Sequence, residues 1–370
     1  MRARARVSYL ASGLFAAIAL TPRGAGAWGE LIPGSRYTNA RAAALGQAYI
    51  PLADDGAAAL FYNPAALGKL AATHFEPLNF QVGTNMDFFS VIDRNVMSFS
   101  NLAAWQPSVG ARTPKQPGVS GLIFPNFAFR GFGIGILAEA NYWATSSNGT
   151  DMRYRTMVRL IPAAGFGLRL ASGVIKIGYA IHWINQSFGD QTVANAIGNT
   201  TMSYLDNLYQ GSGLSHNAGL SIAFPMQYLP QIHVVGRNIL GVRYGSSSIL
   251  PVARSTAGAP PAESMSIDAA LMFSPKMGSG TTINLIVEER DLTNTSQTGL
   301  LNRFATGLEF NFRDQFMLRA GWSNLLLSLG LGMKRKKSEF SVAYFSEVIG
   351  TNASNFTETK FLLHYQIRAF

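Results

Sequence analysis

Cysteine is absent from the 370-residue chain, which excludes a thiolate metal centre, a disulfide framework and a cysteine nucleophile. Charge is scarce as well. Asp, Glu, Lys and Arg make up 14% of the residues, against about 25% in an average soluble domain. So few charges cannot cover the surface of a chain this long, so much of that surface faces something other than water. The sequence also lacks an uninterrupted apolar run of the roughly 18 residues that a membrane-spanning helix needs. Yet 48% of the residues are hydrophobic and 11% aromatic. Apolarity spread over alternate positions is how a membrane β-barrel carries it. Nucleic-acid binding is not expected, because the net charge of +10 is not gathered into a basic stripe. The one dense run, Lys334-Arg335-Lys336-Lys337, falls where a turn is expected.

The first 27 residues follow the order of a secretory signal peptide. Arg2, Arg4 and Arg6 precede an apolar stretch from Tyr9 to Leu20, Pro22 breaks it, and Ala25-Gly26-Ala27 offers small residues for cleavage. Export is therefore expected, and the missing cysteine at the junction argues against a lipoprotein. The leader removes Arg2, Arg4, Arg6 and Arg23. The positive excess that remains predicts a basic lumen or contact with anionic outer-membrane lipid and lipopolysaccharide.

After residue 115 the chain alternates repeatedly with period two. Met265, Ile267, Ala269, Leu271 and Phe273 face one way, and Ser266, Asp268 and Ser274 the other. Leu325, Leu327, Leu329, Leu331 and Met333 oppose Ser328, Gly330, Gly332 and Lys334, and Ile175, Ile177, Tyr179, Ile181 and Trp183 oppose Lys176, Gly178 and His182. Such alternation predicts strands. Their length of about ten residues, with Phe, Tyr and Trp near the ends of the apolar faces, fits a transmembrane barrel better than a soluble sandwich. About fourteen segments start near residues 75, 119, 131, 152, 173, 216, 232, 264, 281, 302, 316, 325, 339 and 359. The expected fold is all-β, a transmembrane antiparallel barrel. Residues 187–215 and 242–263 are expected as extracellular loops, and 84–118 as a long insertion with a helix over 86–104. The terminal Phe370 resembles a barrel-insertion signal, although it lies one position off the apolar phase of Phe361, Leu363, Tyr365 and Ile367.

A barrel of fourteen strands encloses more space than its own side chains fill. Residues 28–74 precede the first strand, show no alternation and are rich in Ala and Gly. They are expected to form a hatch inside the barrel of residues 75–370, with Asp54 and Asp55 meeting lumenal Arg and Lys. Asn63 is expected to cap a short helix starting at Pro64. The other arrangement open to this segment is a periplasmic arm.

The run Asn39-Ala40-Arg41-Ala42-Ala43-Ala44-Leu45-Gly46-Gln47-Ala48-Tyr49, followed by Ala53-Asp54-Asp55 and then Phe61-Tyr62-Asn63-Pro64-Ala65-Ala66-Leu67, resembles the N-terminus of FadL-type outer-membrane transporters and their PorV-like relatives. Val235-Gly236-Arg237-Asn238-Ile239-Leu240-Gly241 leans toward the PorV-like branch. The resemblance implies a plugged fourteen-strand barrel in the bacterial outer membrane, with Asn63, Pro64, Ala65, Asp54 and Asp55 in the hatch motif. It also implies a passive channel for hydrophobic compounds such as long-chain fatty acids, working without a cofactor. An anionic headgroup would meet Arg303 or Arg319, with His182 also on the lumen face. A kink in the wall would be sought at Pro125 and along Gly131, Gly133 and Gly135, where Pro and Gly weaken the ladder; the same glycines also fit a simple thinning of a lumen face.

Catalytic signals are weak. His74, His182, His216, His233 and His364 are scattered without ligand spacing, and no metal site is expected. Glu288 and Glu289, beside Arg290 and Asp291, read as an ion-paired loop edge. The competing functional reading is a PorV-like scaffold or secretion component that binds partner proteins through its extracellular loops. An enzyme embedded in the membrane comes third, without a serine-nucleophile context to support it.

Overall fold

Fourteen strands close on themselves. The computed structural model describes residues 37–369 except 71, 91–104, 110–115, 147, 196–202, 279, 296–298, 325 and 352–353. Residues 1–27, expected as a signal peptide, residues 28–36, expected as the start of the hatch, and Phe370 lie outside the described residues. The strands are β1 (His74–Glu76 and Leu78–Asn85), β2 (Gly118–Ile123 and Asn126–Phe129), β3 (Phe132–Thr145), β4 (Met152–Leu170), β5 (Ile175–Val193), β6 (Leu208–Ala223) and β7 (Gln231–Arg237). They continue with β8 (Ser266–Phe273), β9 (Thr281–Glu289), β10 (Phe304–Phe312), β11 (Phe316–Ser323), β12 (Leu326–Lys334), β13 (Ser338–Thr351) and β14 (Ser354–Ile367). Each pairs antiparallel with its neighbour, and β14 closes on β1 through Lys360↔Asn85 to Ile367↔Leu78. Closure removes every sheet edge, as an apolar surround demands.

The alternation seen in the sequence is the in–out pattern of this wall. On β12, Leu327, Leu329, Leu331 and Met333 are exposed on the outside, while Ser328 is buried inside. Trp183, Ile181 and Ile177 on β5 are exposed, whereas His182 is buried. Short turns at 130–131, 171–174, 313–315 and 335–337 lie at one end of the barrel; the long connections lie at the other, together with the tight β11–β12 connection at Asn324, which the sequence would place with the short turns.

The segment 187–215 is mostly ladder rather than loop. β5 runs on to Val193 and β6 begins at Leu208. Strands of 19 residues extend about 60 Å, well beyond an apolar band of about 25 Å. Past that band the outer face of β5 turns polar, through Asn185, Ser187 and Gln191, so alternation disappears there although pairing continues. The outer face there is covered instead: Trp105, Val109 and Tyr204 from the long connections bury Tyr142, Met152 and Tyr154. Of the helix expected over 86–104, Met86–Ser90 is a 3₁₀ turn, and 91–104 lie outside the described residues.

The hatch contributes two short helices, α1 (Ala40–Ala44) and α2 (Gly56–Phe61), and 3₁₀ turns at Ile50–Leu52 and Pro64–Lys69. Its Leu45, Ala58, Leu60, Phe61 and Leu67 join wall residues Leu122, Phe124, Leu137, Ile161 and Ile184 in one apolar core within the lumen.

Candidate functional site: the hatch and its seat in the barrel wall

Helices of five and six residues are too short to persist alone. Local side chains cap their starts. Asn39 Oδ1 accepts from Ala42 N at 2.7 Å and Asp55 Oδ1 from Ala58 N at 2.6 Å. Asn63 Oδ1 accepts from Ala65 N at 3.1 Å, with Pro64 opening the turn that follows.

The remaining open backbone groups are met by the wall. Glu288 Oε2 accepts from Tyr49 N at 2.9 Å and Ile50 N at 3.1 Å. Arg237 donates to Phe61 O at 2.7 Å and Tyr62 O at 3.2 Å, covering the C-terminus of α2, and its own charge is matched by the buried Asp268. Gln81 Nε2 donates to Thr38 O at 2.9 Å. The Asn63 amide reaches Ser221 Oγ at 3.0 Å and lies 3.3 Å from His233 Nδ1. The Asn-Pro-Ala motif is thus a joint: one end of the Asn63 side chain holds the hatch turn, the other holds β6 and β7.

A charge chain runs from wall to hatch. Arg41 grips Glu309 through two nitrogens, each at 2.9 Å, and reaches Asp54 at 2.9 Å. On its other side Glu309 takes Arg319 Nε at 2.8 Å, its partner across the β10–β11 ladder. Both Glu309 and Arg319 side chains are fully buried. Bidentate charge-assisted bonds of this kind are strong and geometrically specific.

Glycines on the inner wall let the hatch approach. A Cβ at Gly178 would lie 2.2 Å from Pro64 C, and one at Gly321 would lie 2.0 Å from Leu45 C. Hatch backbone and strand backbone therefore touch, which only glycine allows.

The two hatch aspartates differ in environment. Burial opposes ionisation of Asp54, but Arg41 and Lys69 outweigh it and hold the carboxyl below its ordinary value. Asp55 is pushed up to about 7, first by burial and then by Glu76 and Asp54. Glu76 is itself fully buried among Asn79, Asn126 and Arg368. A carboxyl raised on folding adds stability that is complete at acid pH and is lost as pH rises through about 7. Protease access to α2 in the folded barrel is accordingly expected to rise between about pH 4 and 7 and to level off above that. The Asp55→Asn variant is expected to flatten that dependence. A pH-independent cleavage rate in the unaltered chain would contradict it.

The residues expected to meet an anionic ligand lie apart from one another and are engaged with protein groups. Arg319 is held by Glu309 and Ser341. His182 stacks on Phe61, ring centres 4.5 Å apart, and its Nε2 lies 3.1 Å from Leu60 O. Arg303 sits in the one-turn helix Leu300–Arg303 among the long connections, donating to Asp291 O at 2.7 Å with Glu289 at 3.8 Å. Glu288 does not belong to a loop edge as the sequence suggested. It is a lumenal cap on the hatch, and only Glu289 makes the loop-edge pair.

Pro125 does interrupt β2, and Pro77 interrupts β1 beside it. The register moves from Glu76↔Asn126 to Phe80↔Ile123, giving β1 one extra residue. The break is sealed by Phe124 N to Asn79 O at 2.7 Å and Ile136 N to Pro125 O at 3.1 Å. Gly131 turns the chain at φ +83°. Gly133 and Gly135 make room for Leu67 and Phe124, whose side-chain atoms lie 2.9 Å and 2.5 Å from where a Cβ would stand. These glycines receive the hatch and an aromatic ring, so thinning of the lumen face, rather than an opening, describes them.

The larger irregularity was not foreseen. β7 has seven residues beside the sixteen of β6. Beyond Ala218↔Gly236 the edge of β6 is taken up by the following connection, through Ser212↔Gly245 and the short strand Thr256–Gly258, which lies parallel to Leu208–Tyr209.

No protein-family model matches the chain, and no curated protein matches it in sequence. Solved structures share its fold. The toluene transporter TbuX of Ralstonia pickettii superposes with a TM-score of 0.50 at 13% identity, over 90% of this chain and 98% of that one. The deltaS2 mutant of the TodX monoaromatic hydrocarbon channel gives 0.54 at 11% identity, over 90% and 99%. The deltaS2S3 mutant of the same channel gives 0.53 at 12%, over 90% and 98%. These neighbours are described as transporters and channels, and what they share with this chain is the fold: a closed antiparallel β-barrel of fourteen strands.

Proposed function

We propose that this chain lets hydrophobic compounds cross the outer membrane passively, with the hatch as the moving part. The observation that carries the reading is the seat itself. Beyond its continuation into β1, the hatch is held in the described residues by individual hydrogen bonds, ion pairs and apolar packing, with no strand ladder to the wall. Such contacts break and reform one at a time. Tyr37, Phe61, Tyr62, Phe124 and His182 form an aromatic cluster around it, with ring centres 4.5–5.8 Å apart, and Ile161 and Ile184 extend the apolar surface. Surfaces of this kind take up apolar molecules, with the few polar groups setting orientation.

Small neutral hydrocarbons fit better than long-chain fatty acids. Arg319 and Arg303, the cations that would meet a carboxylate, already have protein partners. The neighbours in fold are described as toluene and monoaromatic hydrocarbon transporters. Cells carrying the chain are expected to take up labelled toluene faster than cells lacking it, with little difference for labelled oleate. Equal toluene uptake in the two strains would refute the proposal.

A second reading, a scaffold for partner proteins, has one observation in its favour. The connection after β7 exposes Leu240 at 90%, together with Ile249 and Leu250. A protein that copurifies with the barrel and is lost from Leu240→Ser would support that reading.

A further inference from the structure

We propose that the short-turn rim of the barrel binds the headgroups of anionic phospholipids. The turns at that end carry Arg130, Arg169, Lys276, Arg313 and the triplet Arg335-Lys336-Lys337, all exposed. The same turns hold a single exposed acid, Asp314. Among the described residues none of the seven cations is in an ion pair. Arg169 and Lys337 make only backbone contacts, to Ser172 O at 3.4 Å and Ala369 O at 3.2 Å. The long connections at the opposite end mix both signs, with Asp87, Asp151, Asp206 and Glu263 beside Arg243 and Arg254.

Two features identify the partner. The cations are spread around the circumference, on the β2–β3, β4–β5, β8–β9, β10–β11 and β12–β13 connections. A protein docking from one side would need them on one arc, whereas a lipid leaflet meets the barrel all the way round. The cations also stand next to a belt of outward phenylalanines: Phe129 precedes Arg130, Phe312 precedes Arg313 and Phe273 lies three residues before Lys276. These rings are 37–46% exposed, as side chains at the boundary of the acyl chains are. A cation one residue beyond that boundary is at headgroup depth. There it meets phosphate, and each such contact is worth about a fivefold in lipid partition at moderate salt.

The test uses the full-length barrel in nanodiscs of zwitterionic phosphatidylethanolamine containing either phosphatidylglycerol or, as control, only more of the zwitterionic lipid. Native mass spectrometry counts the lipids retained on extraction. The unaltered barrel is expected to retain phosphatidylglycerol in preference to phosphatidylethanolamine. Combined Arg130→Gln, Arg313→Gln, Arg335→Gln and Lys336→Gln is expected to cut that preference by about tenfold or more, and raised salt to reduce it in the unaltered barrel. Arg243→Gln with Arg254→Gln, at the other end, should leave it unchanged. Equal retention of both lipids by the unaltered barrel would overturn the proposal. So would full retention in the fourfold variant, or loss only in the Arg243/Arg254 pair. An acidic protein that occupies the rim and displaces phosphatidylglycerol from it would overturn it as well, because the surface would then be a protein interface.

Discussion

Replacing Glu309 with alanine is expected to unseat the hatch while leaving the barrel closed. Among the described residues this carboxylate is the one acid that pairs with both Arg41 on the hatch and Arg319 on the wall, beside Asp54 on Arg41 and the more distant Glu339 on Arg319, and it also takes Asn284 Nδ2 at 3.1 Å. Without it two guanidinium groups face each other in a buried site, and removing one member of such a pair costs about 3–5 kcal/mol. The β10–β11 ladder that flanks the site needs no side chain to pair. The cost therefore falls on the element that can leave, which is the hatch. The variant should keep its heat-modifiable mobility in electrophoresis. It should gain a protease-sensitive N-terminal segment and admit large antibiotics that the outer membrane excludes. Glu309→Gln, which retains part of the hydrogen bonding, should fall between. Unaltered protease resistance in the alanine variant would show that the charge chain does not hold the hatch.

The second large effect is steric. Gly178→Leu sets a side chain where Pro64 C and O lie 2.2 Å from the first carbon, and Gly321→Val does so 2.0 Å from Leu45 C. In both cases the obstacle is backbone, which cannot swing aside as a lysine tail would. Outward neighbours and strand pairing at these positions are indifferent to the change. Each variant is expected to assemble a barrel whose hatch is displaced, giving a permanently open conductance in planar bilayers. Gly121→Ala is the matched control, since a Cβ there meets nothing within 4 Å. It should behave as the unaltered chain does. Closed, hatch-protected behaviour in Gly178→Leu would mean that the turn Pro64–Lys69 does not rest on β5.

The barrel was legible because its outer face repeats one rule. Wherever the wall meets lipid, as at Leu327, Leu329 and Leu331, every second residue must be apolar, and the period survives in the sequence. It fades where β5 and β6 rise beyond the band, so Ser187 and Phe188 fall in the stretch read as loop although they are paired and buried. The hatch was legible in part through Asn63, a cap standing just ahead of Pro64. Asn39 and Asp55 also cap short helices, and Asp55, expected to meet a lumenal cation, does this instead.

The seat was much less so, because its members are far apart in the chain: Arg41 and Glu309 are 268 positions apart. The available signal was a charged residue in the lumenal phase of an otherwise small or polar strand face. Arg237, Glu288, Glu309 and Arg319 all carry it, and only Arg319 was picked out, for the wrong partner. The shortened β7 left no trace in sequence, because Val235-Gly236-Arg237-Asn238 reads as a strand going on.

The central claim is that the hatch sits in the lumen and must move for transport. The absence of native cysteine allows a direct measurement with Leu45→Cys combined with Gly307→Cys. A Cβ at position 307 would lie 3.1 Å from Leu45 Cβ, close to the roughly 3.5–4.5 Å of a disulfide. The pair is predicted to cross-link spontaneously on oxidation, to abolish labelled toluene uptake while linked, and to recover it on reduction. Failure of the two cysteines to join, or undiminished uptake through the linked barrel, would contradict the account.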